Sequence, residues 1–185
     1  MSGPIPVFDL DGTLLDSDTA LMRPFLQLGV PRSEITFGHP IEIECTRLGI
    51  RLDDYLSIYD ISAAQPFPGV DQLLGSLSRW GICSNKHRTS GTAELERLGW
   101  HPEVATFSDD YGGGAKHLGP VLDALDVAGS EIVFVGDTEH DRHCAEKVAA
   151  GFGYAGWNPR VSSLAVDGVR VFSTPGEILD LIGHR

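Results

Sequence analysis

Three short apolar runs in this chain each end in a polar residue capable of chemistry, and that repeated arrangement limits the fold more than any other feature. Val7 and Phe8 lead into Asp9. The run around Trp80, Ile82 and Cys83 leads into Ser84 and Asn85, and residues 132–135 lead into Gly136 and Asp137. Continuous apolar runs of this length suit strands buried on both faces, as in parallel sheets covered by helices. Helical patterns lie between them, at residues 70–78, about 89–98, 118–127 and 140–149. Further strands are expected at 104–107, 153–157 and 169–172, with a last helix near 177–182. Strand and helix alternate, so the expected fold class is α/β, with a doubly wound, mostly parallel sheet.

Residues 17–66 break this rhythm with three candidate helices and no convincing strand. The middle helix is expected to start at Pro40, a residue suited to a first helical position, and to stop at Gly49. The segment returns through Gln65, Pro66, Phe67, Pro68 and Gly69, a stiff connection. The expected organisation is an α/β core domain of residues 1–16 and 67–185, interrupted by a short helical cap of residues 17–66.

A net charge of −12 argues against a broad surface for nucleic acid or anionic lipid, since both need clustered Lys and Arg. No stretch approaches the roughly 20 apolar residues of a membrane-spanning helix, and a cytoplasmic monomer or homodimer is expected. Cys45, Cys83 and Cys144 are widely spaced and odd in number, so they read as reduced thiols.

In a parallel doubly wound sheet, ligands bind beyond the C-terminal ends of the strands. Asp9, Ser84 and Asp137 should therefore meet in one crevice. Asp9 and Asp11 are two residues apart, which puts them on roughly the same side and makes them repel unless a cation or proton intervenes. A hard cation such as Mg2+ favours carboxylate oxygens, and Asp137 with Asp141 would complete its pocket. Four carboxylates, one lysine and Mg2+ still leave one negative charge before a phosphate arrives. A protonated Asp11 would remove it and also serve as general acid to a departing alkoxide.

The run Asp9, Leu10, Asp11, Gly12, Thr13, Leu14 resembles the first motif of the haloacid dehalogenase-like (HAD) hydrolases. That resemblance implies a Rossmann-like core, Asp9 as nucleophile and Asp11 as acid and base. Ser84 with Asn85 resembles the second motif, which together with Gly12 and Thr13 would hold phosphoryl oxygens. Lys116 resembles the lysine of the third motif, and Gly136, Asp137, Thr138 and Asp141 the acidic fourth. The implied metal set is Asp9, Asp11, Asp137 and Asp141, with Mg2+ as cofactor. The insertion and the returning Pro68, Gly69, Val70 look like the helical-cap branch that includes phosphoglycolate phosphatases. His117 stands where these relatives often have proline, and a cap of about 50 residues is short. The function implied is Mg2+-dependent hydrolysis of a small phosphomonoester through an aspartyl-phosphate. A phosphomutase sharing that intermediate and a silent phospho-ligand-binding module are the alternatives.

Plainer readings stand beside these. Asp141 could act only as a charge near a helix N-terminus, and Lys86 rivals Lys116 for the phosphate. Gly112, Gly113 and Gly114 lack the GxxxxGK[ST] spacing of a phosphate loop and read as a turn. His140 and His143 are expected on a helix flank beside the site, not as zinc ligands. Arg23 and Arg47 could meet a substrate carboxylate, although an exposed arginine is the commoner outcome.

Overall fold

The computed structural model describes residues 3–36, 38–112, 114–162 and 168–183. Gly113 of the glycine run, Phe37 of the expected cap and the outermost residues of the expected core lie outside them. In chain order the elements are β1 (Ile5–Phe8), β2 (Leu15–Asp16), α1 (Asp18–Gln27), α2 (Ile41–Arg47), α3 (Leu52–Ile58), β3 (Gln65–Pro66), α4 (Val70–Ser76), β4 (Gly81–Cys83) and α5 (Arg88–Leu98). There follow β5 (Val104–Thr106), α6 (Gly119–Leu125), β6 (Ile132–Gly136), α7 (Glu139–Lys147), β7 (Gly151–Ala155), α8 (Pro159–Ser162), β8 (Arg170–Phe172) and α9 (Glu177–Ile182).

Six strands form one sheet in the order β5-β4-β1-β6-β7-β8, and each neighbouring pair is parallel. The fold is the expected doubly wound α/β architecture. The period of two along each strand divides its side chains between two apolar layers. Phe8, Ile82 and Val135 face one layer with Leu73, Leu95 and Ile178 from α4, α5 and α9. Val7, Cys83 and Phe134 face the other with Val121, Leu125 and Cys144 from α6 and α7. The chain steps outward from β1 to β4 and β5, then returns to lay β6 on the other flank of β1. The strand order thus reverses at β1, and a crevice opens beyond its C-terminal end, where Asp9 follows.

Helices α1 to α3 form an insertion with an apolar cluster of its own, built on Phe25, Val30, Cys45 and Tyr55. The insertion leaves and re-enters through a ribbon absent from the sequence reading: β2 and β3 pair antiparallel, Leu15 with Pro66 and Asp16 with Gln65. Pro40 has φ −55° and ψ 140°, an extended conformation, so it precedes the helix that it was expected to begin. Helix α6 stops at Leu125, short of residue 127, because Asp126 turns into the left-handed region at φ 54°. Helix α8 has no counterpart in the sequence reading. Among the described residues no helix is long and apolar enough to cross a membrane.

Candidate active site

Asp9 continues the register of β1 by one residue, its amide donating to the Val135 carbonyl at 2.9 Å. The chain then closes a tight turn in which the Leu14 and Leu15 amides both donate to Leu10 O, at 3.0 and 2.9 Å. Gly12 sits in this turn at φ +78°, and a Cβ there would collide with the Asp137 carboxylate and the Arg160 guanidinium. Only glycine meets both conditions without strain. Gly12 O accepts from Asn158 Nδ2 at 2.7 Å, and Thr13 is fully buried beneath the turn. Neither residue lines the crevice, whereas Asp9, Asp11, Ser84, Asn85, Lys116 and Asp137 do.

Asp9, Asp137 and Asp141 each present a carboxylate oxygen, all within 4.8 Å of one another, and all three residues are buried. Burial, opposed by Lys116 but reinforced by Asp141 and Asp11, raises the Asp9 carboxyl to about 7. Burial and the charges of Asp9 and Asp141 raise that of Asp137 to about 8, against the pull of Arg160. Three buried carboxylates gathered this closely offer hard oxygen donors of the kind that suit Mg2+.

Lys116 Nζ lies 2.5 Å from Asp141 Oδ1 and 3.3 Å from Asp9 Oδ1. Asp141 has two uses. Its Oδ2 accepts from the Thr138 amide at 3.0 Å and hydroxyl at 2.6 Å, and its own amide donates back to that hydroxyl at 3.2 Å, capping α7. The capping box leaves Oδ1 for the lysine.

Asp11 stands apart from this cluster. Its Oδ1 accepts from Lys86 Nζ at 2.7 Å, and the same ammonium lies 2.9 Å from Glu94 Oε2 and donates to the Tyr59 hydroxyl at 2.9 Å. Tyr59 in turn donates to Glu94 Oε1 at 2.5 Å. Burial lowers the pKa of Lys86, but Asp11, Tyr59 and Glu94 outweigh it and keep the amine charged. Both lysines weighed in the sequence therefore belong to the site, each on different carboxylates. Ser84 is buried after β4, its hydroxyl accepting from the Lys86 amide at 3.2 Å. Asn85 Nδ2 donates to Gly38 O of the insertion at 3.2 Å.

Four participants escaped the sequence reading: Glu94, Tyr59, Asn158 and Arg160. Arg160, on α8, bridges Asp137 at 2.7 Å and Asp18 of α1 at 3.1 Å. The remaining candidates are peripheral. Arg23 lies 3.7 Å from Asp60, and Arg47 binds Glu44. His140 and His143 lie on α7 outside the aspartate cluster. The three cysteines are free and buried.

The description "haloacid dehalogenase-like hydrolase" fits residues 6–154, a span holding every motif described above. The chain belongs to the haloacid dehalogenase-like hydrolases. It is 30% identical, over 186 aligned positions, to a phosphoglycolate phosphatase of Xanthomonas campestris, covering 80% of this chain and 83% of that protein. It is 29% identical to a phosphoglycolate phosphatase of Xylella fastidiosa, over 78% of this chain and 76% of that one. Among solved structures, a haloacid dehalogenase-like family hydrolase from Streptococcus pneumoniae superposes with a TM-score of 0.74. That likeness covers 96% of this chain and 97% of the other at 24% identity, and speaks for the fold.

Proposed function

We propose that this chain is a Mg2+-dependent phosphatase that hydrolyses a small phosphomonoester through an aspartyl-phosphate on Asp9. The relatives' names suggest phosphoglycolate as the first substrate to try. The observation that carries this reading is the buried pairing of Asp9 with Lys116, beside Asp137 and Asp141, at the C-terminal end of the central strand.

A phosphate entering the crevice meets Lys116 and the Ser84 hydroxyl, which bind its equatorial oxygens. Asp9, Asp137 and Asp141 would hold Mg2+, whose charge lets a dianion approach three carboxylates and spreads that of the transition state. Asp9 attacks phosphorus in line with the leaving oxygen. Asp11, oriented by Lys86, gives that oxygen a proton and later takes one from the water that hydrolyses the acyl phosphate. Lys116, held by two carboxylates, stays in place to bind charge as it develops, with no reorganisation at the moment of reaction.

Residues 17–66 serve in this reading as a cap that closes over the crevice and selects the leaving group. The crevice measures about 90 Å3, which suits a short substrate.

Asp9→Asn tests the proposal. Acid-quenched enzyme with Mg2+ and p-nitrophenyl phosphate should carry a phosphoryl group on Asp9 by mass spectrometry, and the Asn variant should carry none and release no phosphate. Turnover that survives in Asp9→Asn, or in excess chelator, would overturn it. Product analysis separates hydrolysis from return of the phosphoryl group to a sugar.

A further inference from the structure

The insertion buries one glutamate, and the groups that hold it include Thr36 and His39, which line the crevice. Glu44 on α2 is 1% exposed. Its Oε1 accepts from the Thr36 amide and from Arg47 Nη2, both at 2.7 Å. Its Oε2 accepts from Arg47 Nε and from His39 Nε2, both at 2.8 Å. Burial by itself pushes this carboxyl up, yet Arg47, Thr36 and His39 outweigh burial and hold it at about 2. A buried ion with its partners seldom gains net stability over an apolar packing of the same volume. The arrangement calls for another explanation.

Arg47 offsets the charge of Glu44 from the outer side, while Thr36 and His39 line the crevice with Glu44 itself, and His39 is the partner that can carry a positive charge there. Nε2 is committed to Glu44, so the ring is oriented and its Nδ1, which makes no hydrogen bond among the described residues, is the nitrogen left for a ligand. The insertion's other side chains on the crevice wall are Leu21, Phe25, Ile41, Tyr55 and Tyr59, apolar or aromatic, with Asp18, Thr36 and Glu44 as the polar ones. No lysine or arginine of the insertion lines the crevice among the described residues, since Arg23 faces Asp60 and Arg47 backs Glu44.

We propose that His39, steered by Glu44, is the specificity-determining residue that reads a carboxylate at the end of the substrate remote from the phosphate, selecting phosphomonoesters of short hydroxy acids. This rests on the phosphatase reading above. A ring that donates from Nε2 to Glu44 and from Nδ1 to a substrate carboxylate is an imidazolium. Such charge-assisted hydrogen bonds are roughly twice as strong as neutral ones. A substrate ending in a hydroxyl cannot supply the second anion, and is the poorer ligand.

The test compares kcat and KM for phosphoglycolate, 2-hydroxyethyl phosphate and p-nitrophenyl phosphate in the Mg2+-loaded parent, His39→Gln and Glu44→Gln. The parent should prefer phosphoglycolate over 2-hydroxyethyl phosphate by about tenfold or more, the size of one good ionic contact. His39→Gln should remove that preference, chiefly through KM, and cost phosphoglycolate about tenfold more than p-nitrophenyl phosphate. Its thermal midpoint should stay near the parent's, because the His39 side chain is one-third exposed. Glu44→Gln should lose the same preference while also loosening the insertion. A preference that survives His39→Gln, or equal losses on all three esters, would overturn the assignment. A parent that releases phosphate from none of them would overturn the phosphatase reading itself.

Discussion

Lys86 Nζ lies 2.7 Å from Asp11 Oδ1, so the residue two places after Asp9 is paired with a buried cation and held outside the cluster of the other three aspartates. Lys86 also neutralises Glu94, which is 0% exposed. Replacing Lys86 by Met strands that carboxylate, and breaking one side of a buried pair costs about 3–5 kcal/mol. Urea denaturation should show this loss, and the double variant Lys86→Met, Glu94→Gln should regain most of it. A double variant no more stable than the single one would mean that Lys86 acts mainly on Asp11.

Asp11→Asn should keep the fold, because the amide oxygen can still accept from Lys86. It cannot donate a proton as a carboxylic acid does, which is worth roughly 10² to 10⁴ in rate. The fall in kcat should be large for an alkyl phosphate and much smaller for p-nitrophenyl phosphate, whose leaving group needs no proton. Equal losses on the two esters would remove Asp11 from the acid role.

Gly12→Ala places a side chain at φ +78°, where the strain is of order 1–3 kcal/mol, and drives its Cβ into the Asp137 carboxylate. Calorimetry should show weakened Mg2+ binding together with a lowered thermal midpoint. Undisturbed metal affinity would show that the turn can yield without moving Asp137.

Glu44 gives stability a definite dependence on acid. Its folded carboxyl is held at about 2 against an ordinary 4.5, so its contribution is complete above 4.5 and is lost as pH falls from there towards 2. The gap in thermal midpoint between the parent and Glu44→Gln should be full at neutral pH and narrow below 4.5. A gap that does not change with pH would mean that ionised Glu44 is not what holds Thr36 and His39.

The sheet and the gathering of Asp9, Asp137 and Asp141 were legible because each strand end is marked by residues close together in sequence, whereas Asp11, expected in the same metal set, lies outside that cluster beside Lys86. An apolar run of four or five residues ending in Asp or Ser marks a buried strand and its C-terminal end. Thr138 with Asp141 three residues on also had a readable capping pattern. The neighbours of Asp11 were not legible in this way. Glu94 sits in an ordinary helical stretch and Tyr59 follows a helix of the insertion, and nothing local says that both reach Lys86. Arg160 lies on a four-residue helix too short to show a period. The two-residue strands β2 and β3 have the same difficulty, as their pairing is visible only once both ends of the insertion are in place. Arg23 and Arg47 are exposed, the commoner outcome for an arginine, and each lies against a carboxylate of the insertion, Asp60 and Glu44.

Because Leu15 pairs with Pro66 and Asp16 with Gln65, the insertion begins and ends at a single doorway. Its length and internal helices can change without altering the distance that the core must bridge, and lengthening such a loop carries only a slowly growing entropic cost. The sheet, the four site aspartates and both buried lysines lie outside that doorway, while Tyr59 and His39 lie inside it. Selection can therefore act on the two parts at different rates. On the proposed reading, a lineage that exchanged the whole insertion for another would acquire a new diet of esters while inheriting its phosphoryl chemistry intact.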